Sequence, residues 1–244
     1  MNARVNRGRN DTPELGLGGS YWAEVVSVLR DIIPVYDKVN RIISLGRDAE
    51  HRRRGISGRV MPGDRILDAG SGFGNMSKTA SGLAHGDVSI TLYDPLVPML
   101  KNVGALFERA PSSACGIFEH MPFGDGRFDA VLCGYSLRDA ISLRTAIAEI
   151  HRVLKDGGRL VIVDLGKPDN AVTRTGVSLY LRCVLPMLAL CAGGRLGLKF
   201  GTLHGTFQRW PQNSKLEEML LERFGRVEFE KDLMGGAIMV AAFK

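Results

Sequence analysis

Arg65-Ile66-Leu67-Asp68-Ala69-Gly70-Ser71-Gly72-Phe73-Gly74 is a short apolar run that ends on an acid and opens into alternating glycines. The run reads as a buried strand. Glycines at 70, 72 and 74 let the following backbone take positive φ and approach a ligand closely. Without a ligand, the same stretch reads as a tight strand-to-helix turn. Outward from it, Val88–Tyr93 reads as a strand ending at Asp94, Phe128–Cys133 as another, and Leu160–Leu165 as a near-continuous apolar strand covered on both faces. Ser142 is placed to cap a helix with an apolar face of Leu143, Ile147, Ile150 and Leu154, and Gly157-Gly158 to end it. Strands alternating with helices predict right-handed crossovers and a mostly parallel sheet, an α/β fold. Val227–Glu230, a Gly235-Gly236 turn and Ala237–Phe243 predict a closing hairpin with one antiparallel strand.

The flanks divide by composition. Residues 1–19, rich in Asn, Arg and Gly, are expected as a flexible leader, and residues 20–244 as one domain. Within that domain, residues 20–60 carry N-terminal helices. Val25, Val28, Leu29, Ile32 and Ile33 recur at helical spacing, Pro34 breaks the run, and a second helix carries Tyr36, Val39, Ile42 and Ile43. Residues 166–215 are helical and irregular and interrupt the last crossover. An insertion of this length is expected to cap a substrate.

The 244 residues, 45% hydrophobic and 24% charged, suit a globular protein that buries a substantial core. The net charge of +6, with Arg52, Arg53 and Arg54 in one run, fits an anionic partner and plain solubility equally well. Cys115, Cys133, Cys183 and Cys191 form no C-x-x-C pair and no cluster with His, so no metal is expected. Cys115 and Cys133 read as core thiols, and sparse cysteine suits the cytoplasm. The N-terminus shows no apolar signal segment. Cys183–Gly194, interrupted by Pro186, is too short to span a bilayer; it suits a place against the inner face of the cell membrane or in the wall of an apolar pocket.

Open α/β sheets bind ligands beyond the carboxyl ends of their strands, where strand order reverses. A dinucleotide turn prefers G-x-G-x-x-G. Here the third glycine falls at 74 and Asn stands at 75. Asp68 at the entrance repels pyrophosphate and favours a cation. S-adenosylmethionine carries an ammonium and a sulfonium and meets that condition. Asp94 suits two ribose hydroxyls, but it also suits a helix N-cap, and NAD-binding proteins use an acid in the same place.

Glu119-His-Met-Pro-Phe-Gly-Asp-Gly-Arg-Phe-Asp-Ala-Val, Tyr135-Ser-Leu-Arg-Asp and the stretch from Ala148 to Asp164 resemble the ubiquinone/menaquinone C-methyltransferase family. Val35-Tyr36-Asp37-Lys38-Val39-Asn40 resembles that family's Tyr-Asp-x-x-Asn helix, and Gly235-Gly236-Ala237-Ile238 its closing turn. The likeness spans about residues 32–243. It implies a Rossmann-like seven-stranded methyltransferase sheet with an antiparallel last strand, N-terminal helices and a helical cap inserted before the final hairpin. It also implies S-adenosylmethionine as cofactor, held by Asp68, Gly70, Ser71, Gly72, Phe73, Asp94, Pro95, Phe118, Glu119 and Gly134. The chain departs from the pattern at Ile117-Phe118, at Asp139 in place of Asn, and at Thr206–Pro211 in the lid.

The resemblance implies methyl transfer to a ring carbon of a lipid-tailed quinol; O- or N-methylation of another small molecule, or methylation of RNA, are the alternatives. Arg138 is expected to steady a phenolate, because arginine stays protonated; its other reading is an ion pair with Asp139 or Asp164. Asp139 reads as a base or as a turn cap, and Tyr36 as a substrate contact or as packing. His204 reads as a second base. Trp210 and Phe207 read as pocket walls or as core. The expected partner is a small lipophilic molecule. Peripheral membrane contact and a homodimer stay open, and nucleic acid is not expected: Cys133-Gly134-Tyr135-Ser136 stands where base N-methylation uses an Asn-Pro-Pro-Tyr-type tetrapeptide.

Overall fold

The computed structural model describes residues 15–44, 46–101, 103, 107 and 110–244. The leader expectation therefore falls largely outside the described residues. Residues 15–18 do not dangle: Leu17 is buried, its N–H donates to the Ala140 carbonyl (2.9 Å), and the Leu15 carbonyl accepts from Leu143 N (2.9 Å).

Helix α1 (Gly19–Ile32) stops where Pro34 forces a 3-10 turn at Ile33–Val35, and α2 (Tyr36–Ile43) follows. Next come α3 (Asp48–Ile56), β1 (Arg65–Ala69), α4 (Asn75–Leu83), β2 (Ser89–Asp94), α5 (Val97–Lys101), β3 (Ser112–Cys115) and β4 (Phe128–Gly134). Then α6 (Leu143–Val153) leads into β5 (Leu154–Leu165). The helix ends at Val153 rather than at Gly157-Gly158: Leu154 is already extended and pairs with Phe128, and the glycines form an irregularity inside the strand. The insertion runs through α7 (Ala171–Leu179), a π-helical turn (Tyr180–Val184), α8 (Leu185–Gly193), a 3-10 stretch (Gly194–Gly201) and α9 (Thr202–Arg209). Helix α10 (Asn213–Leu221), β6 (Arg226–Asp232) and β7 (Ala237–Phe243) complete the chain.

The seven strands lie in the order β3-β2-β1-β4-β5-β7-β6. All neighbours are parallel except β7, which runs antiparallel to both β5 and β6. Ile66 and Leu67, adjacent on β1, enter opposite cores, as the two-residue period of a strand requires. One core packs Leu67, Val131, Ile147 and Leu216 under α6 and α10; the other packs Ile66, Met76, Leu132 and Met239 under α3 and α4. A third cluster joins Ile32 and Val39 of the N-terminal helices to Leu181, Leu185, Phe200 and Phe207 of the insertion. Phe207 is thus core, as is Trp210, whose indole N–H donates to the Leu165 carbonyl (3.0 Å).

Cys115 departs from expectation. It is exposed, because β3 is a short polar edge strand, whereas Cys133 is buried. The helical turns from Ala171 to Arg209 cover 39 residues and pass the length and composition test for a membrane span that Cys183–Gly194 alone does not. The run is not straight: the 3-10 stretch folds back on α8 closely enough that a Cβ at Gly197 would strike the Ala189 carbonyl.

Candidate active site

Strand order reverses between β1 and β4, so the chains leaving these strands part and open a crevice. The β1 exit is the glycine turn. Gly70 (φ 67°) and Gly72 (φ 53°) hold conformations that side chains rarely adopt. A Cβ on Gly70 would also strike Ser136, whose hydroxyl donates to the Ala69 carbonyl (2.8 Å). The turn thus sits directly against the β4 exit. Phe118 closes one side, its ring tip 3.3 Å from where a Gly70 Cβ would be.

Asp68 is fully buried. Its Oδ2 accepts from the Ser77 N–H (3.0 Å) and hydroxyl (2.7 Å), which fixes the start of α4. Burial raises its carboxyl to about 7. Asp94 accepts from Gly72 N (2.9 Å) and Leu96 N (2.7 Å), so the second acid clamps the glycine turn as well as capping its own; burial raises it too. Pro95 and Gly134 are half-buried at the two strand ends. Glu119 Oε1 accepts from Ser142 N (3.0 Å). Among the described residues, Asp68 Oδ1, Ser71 Oγ and Glu119 Oε2 are buried polar atoms without a hydrogen-bond partner. Buried polar groups are rarely left this way. Two anionic acceptors and a hydroxyl beside a close-approach turn fit a nucleoside bearing hydroxyls and a cationic amino acid end, which is S-adenosylmethionine chemistry.

The β4 exit carries the second half. Beyond it lies a cavity of about 580 Å³. Its walls are apolar, drawn from Leu29 and Ile32 of α1 and from Leu181, Phe200 and Leu203 of the insertion. Its polar lining includes Tyr36, Tyr135, Arg138, Asp139 and His51. Arg138 pairs with Asp164 through Nη1, and its Nε stands 3.7 Å from Asp139 Oδ1. Both ion pairs offered as the alternative reading of Arg138 are therefore present, and Arg138 lines the cavity as well. Burial works against the cation, yet Asp164 and Asp139 hold Arg138 above its ordinary pKa. Burial raises Asp139 to about 6, and its Oδ1 has no hydrogen-bond partner. Tyr36 packs edge-on against Phe73 (centroids 6.1 Å), joining α2 to the glycine turn, and burial raises its hydroxyl.

His204 is not brought to this site. It does not line the cavity, and its Nε2 is 3.1 Å from both Ser178 Oγ and Gln208 Nε2. The histidine that does line the cavity is His51 on α3, which the sequence reading passed over. Its Nε2 is 3.1 Å from Asp232 Oδ2 and its Nδ1 3.4 Å from the Tyr135 hydroxyl. The only signal in the sequence was that Asp48 and Glu50 stand at pairing distance from Arg52 and Arg53, leaving His51 without a local partner. Those pairs form (2.6 and 2.9 Å), and Arg54 binds Glu230 and Asp232. The arginine run is thus committed to internal carboxylates rather than offered to an external anion.

The chain has relatives of similar sequence and fold. A demethylmenaquinone methyltransferase of Renibacterium salmoninarum is 29% identical over 91% of this chain and 92% of its own. One from Mycobacterium marinum is 27% identical over 90% of this chain and 92% of its own. Among solved structures, an S-adenosylmethionine-dependent methyltransferase of Thermotoga maritima, described as a possible histamine N-methyltransferase, superposes with a TM-score of 0.62. It is 14% identical, covers 88% of this chain and 99% of its own, and so speaks for the fold alone. Residues 19–244 match the ubiE/COQ5 methyltransferase family, and the chain belongs to that family of S-adenosylmethionine-dependent enzymes.

Proposed function

We propose that the enzyme methylates a ring carbon of a reduced, lipid-tailed quinol, as the names of its relatives suggest for them. The observation that carries this is the cavity: apolar walls for a tail and a ring, with a buried Asp139–Arg138–Asp164 cluster at the side where Tyr36 meets the cofactor turn.

When bound, S-adenosylmethionine supplies an electrophilic methyl. Asp68 and Ser71 would hold its charged end, Asp94 its ribose and Phe118 its base, with Gly70, Gly72, Phe73, Pro95, Glu119 and Gly134 forming the surrounding wall. Asp139, with an acceptor oxygen unspent, takes the phenol proton of the acceptor and makes the ring electron-rich. Arg138 holds the phenolate charge as a fixed cation in a dry site. Tyr36, which packs on Phe73 of the glycine turn and lines the cavity, would set the approach of donor and acceptor. Residues 166–215 act as the cap that excludes water, within one domain.

The cavity mouth favours a membrane-borne substrate. Val172 (80% exposed), Leu233 and Met234 (83%) line the cavity and also reach solvent. Leu179, Val184, Met187 and Leu190, farther along the helical run that carries Val172, are exposed as well, as are Arg182 and Arg195. An apolar patch with adjacent cations suits the surface of an anionic bilayer.

Two measurements test this reading. The enzyme is given labelled S-adenosylmethionine with quinols, phenols and amines. A C-methylated quinol is expected, and label on oxygen or nitrogen alone overturns the acceptor assignment. Vesicles with phosphatidylglycerol should sediment the protein, Met187→Glu with Leu190→Glu should release it, and turnover on a short-tailed soluble quinol should be unchanged. Equal recovery of the unaltered protein on neutral and on phosphatidylglycerol vesicles would refute the anionic surface, and equal recovery of both proteins on phosphatidylglycerol vesicles would refute the apolar patch.

A further inference from the structure

Methyl transfer to a ring carbon releases two protons at different atoms. The phenol proton leaves oxygen before attack. The ring proton must leave the carbon afterwards, because that carbon then holds both hydrogen and methyl and the ring is no longer aromatic. Asp139 answers the first and returns that proton to oxygen at the end, so one proton remains to be accepted in each turnover.

The described ionisable residues that line the cavity leave few places for it. Asp48 is committed to Arg52 (2.6 Å) and Ser44 (3.3 Å). Arg52 and Arg138 are cations without acceptor capacity. Burial raises the hydroxyls of Tyr36, Tyr135 and Tyr180, so all three stay protonated. His51 differs. Asp232 Oδ2 accepts also from Arg47 and Arg54, and the Leu233 N–H and His51 help hold its carboxyl below the usual range, so it is an anion. An anion only accepts, so His51 Nε2 carries the proton and Nδ1 presents a lone pair to the Tyr135 hydroxyl. Tyr135 itself is held at φ 57°, a conformation uncommon outside glycine that clusters at functional sites. That backbone turns its ring under Arg52 (5.2 Å to the centroid) and its hydroxyl toward His51.

We propose that His51, oriented by Asp232, accepts the ring proton through Tyr135. The step rests on the carbon-methylation reading. The C–H bond breaks and its electron pair returns to the ring. The proton passes to the Tyr135 oxygen as the tyrosine's own proton passes to His51 Nδ1, leaving an imidazolium whose Nε2–H stays on Asp232. No oxidant or reductant is needed, and the proton returns to water when the product leaves. The charges around the imidazolium are mixed. Arg47, at the N-cap of α3, and Arg52 and Arg54 within that helix oppose it. Asp232 and Glu230 of β6, Asp48 of α3 and Asp164 of β5, which acts on Tyr135, favour it.

The test uses a quinol deuterated at the ring position that is methylated. In the unaltered enzyme the deuterium is expected to leave without slowing turnover. His51→Gln should lower kcat about 100-fold, the low end for loss of a general base, with KM and cofactor affinity kept, and a deuterium effect on kcat should appear. Imidazole should restore His51→Ala. Tyr135→Phe keeps the His51–Asp232 pair and should show the same deuterium effect, which covers the case in which a His51 variant fails to fold. Variants that bind cofactor normally, show no deuterium effect and ignore imidazole overturn the assignment. An unaltered enzyme that makes no C-methylated quinol instead overturns the reading on which it rests.

Discussion

Asp68→Asn separates what the acid at the glycine turn costs the fold from what it does for the cofactor. Burial raises this carboxyl from 3.8 to about 7. The folded value lies above the unfolded one, so the protonated form favours folding. Its contribution is complete below about pH 4 and is lost as pH climbs through about 7. Between pH 5 and pH 8.5 the titration spans about two pH units of that interval, worth about 3 kcal/mol at 1.36 kcal/mol each. Asparagine keeps an oxygen for the Ser77 N–H and hydroxyl, and it carries no charge at either pH. The variant should therefore match the unaltered protein at pH 5 within the cost of an unpaired amide, about 1–3 kcal/mol. Moving to pH 8.5 should shift the comparison by about 3 kcal/mol in its favour. For a chain of this size that is a relative rise in melting temperature of about 6–12 °C. Calorimetric unfolding of the cofactor-free proteins at both pH values reads it, since groups remote from Asp68 titrate alike in both. Binding should move the other way, with Asp68→Asn taking up S-adenosylmethionine more weakly at pH 8.5 and with a smaller deficit at pH 5. An unchanged melting difference between the two pH values would show that the carboxylate is not strained. Undiminished binding would remove it from the cofactor site.

Gly70→Ala combines a positive φ with a clash against Ser136 and should cost about 2–4 kcal/mol in denaturant unfolding, with cofactor affinity falling alongside. Arg138→Ala strands Asp139 and Asp164 without their cation. A loss of about 3–5 kcal/mol is expected at neutral pH, shrinking toward pH 5 as the acids protonate, with cofactor binding retained and turnover abolished. Asp139→Asn should remove the acidic limb of the pH–turnover profile, which in the unaltered enzyme falls as pH drops through about 6; a limb that persists would assign it to another group.

The sequence made the sheet and its cofactor edge legible because both rest on short-range rules. An apolar run ending on Asp68 and followed by glycines has few backbone solutions, and Asp94 and Phe118 follow one strand and one turn later. Elements whose reason is tertiary were harder to read. Strand β3 carries Ser112-Ser113 and has no apolar period, because as an edge strand it is covered on one side only by pairing with β2. Helix α6 ends before the glycines because Leu154 is claimed by Phe128 across the sheet. His204 was favoured because it sits in the insertion, yet α9 turns it toward Ser178 and Gln208. His51 was overlooked because it stands among arginines. The carboxylates that occupy them include Glu230 and Asp232, more than 170 residues away in the chain.

Why the fold keeps Asp139, Arg138 and Asp164 together has an energetic answer. A buried ion cluster is costly to desolvate, and apolar residues of similar volume are often as stable or more so. The sheet has no need of it: Leu160 and Ile162 on the same face of β5, and Ile238 paired with Asp164 on β7, show how well apolar side chains fill this layer. Two acids facing one arginine also leave the cluster short of positive charge, and this is why burial can hold Asp139 near 6 although a cation stands next to it. The imbalance falls at the strand ends, on the wall of an otherwise apolar cavity, beside the turn that fits a cationic cofactor. A cluster kept for stability would be balanced and sealed. One kept to take a proton from a buried acceptor has to be open on that side and one cation short.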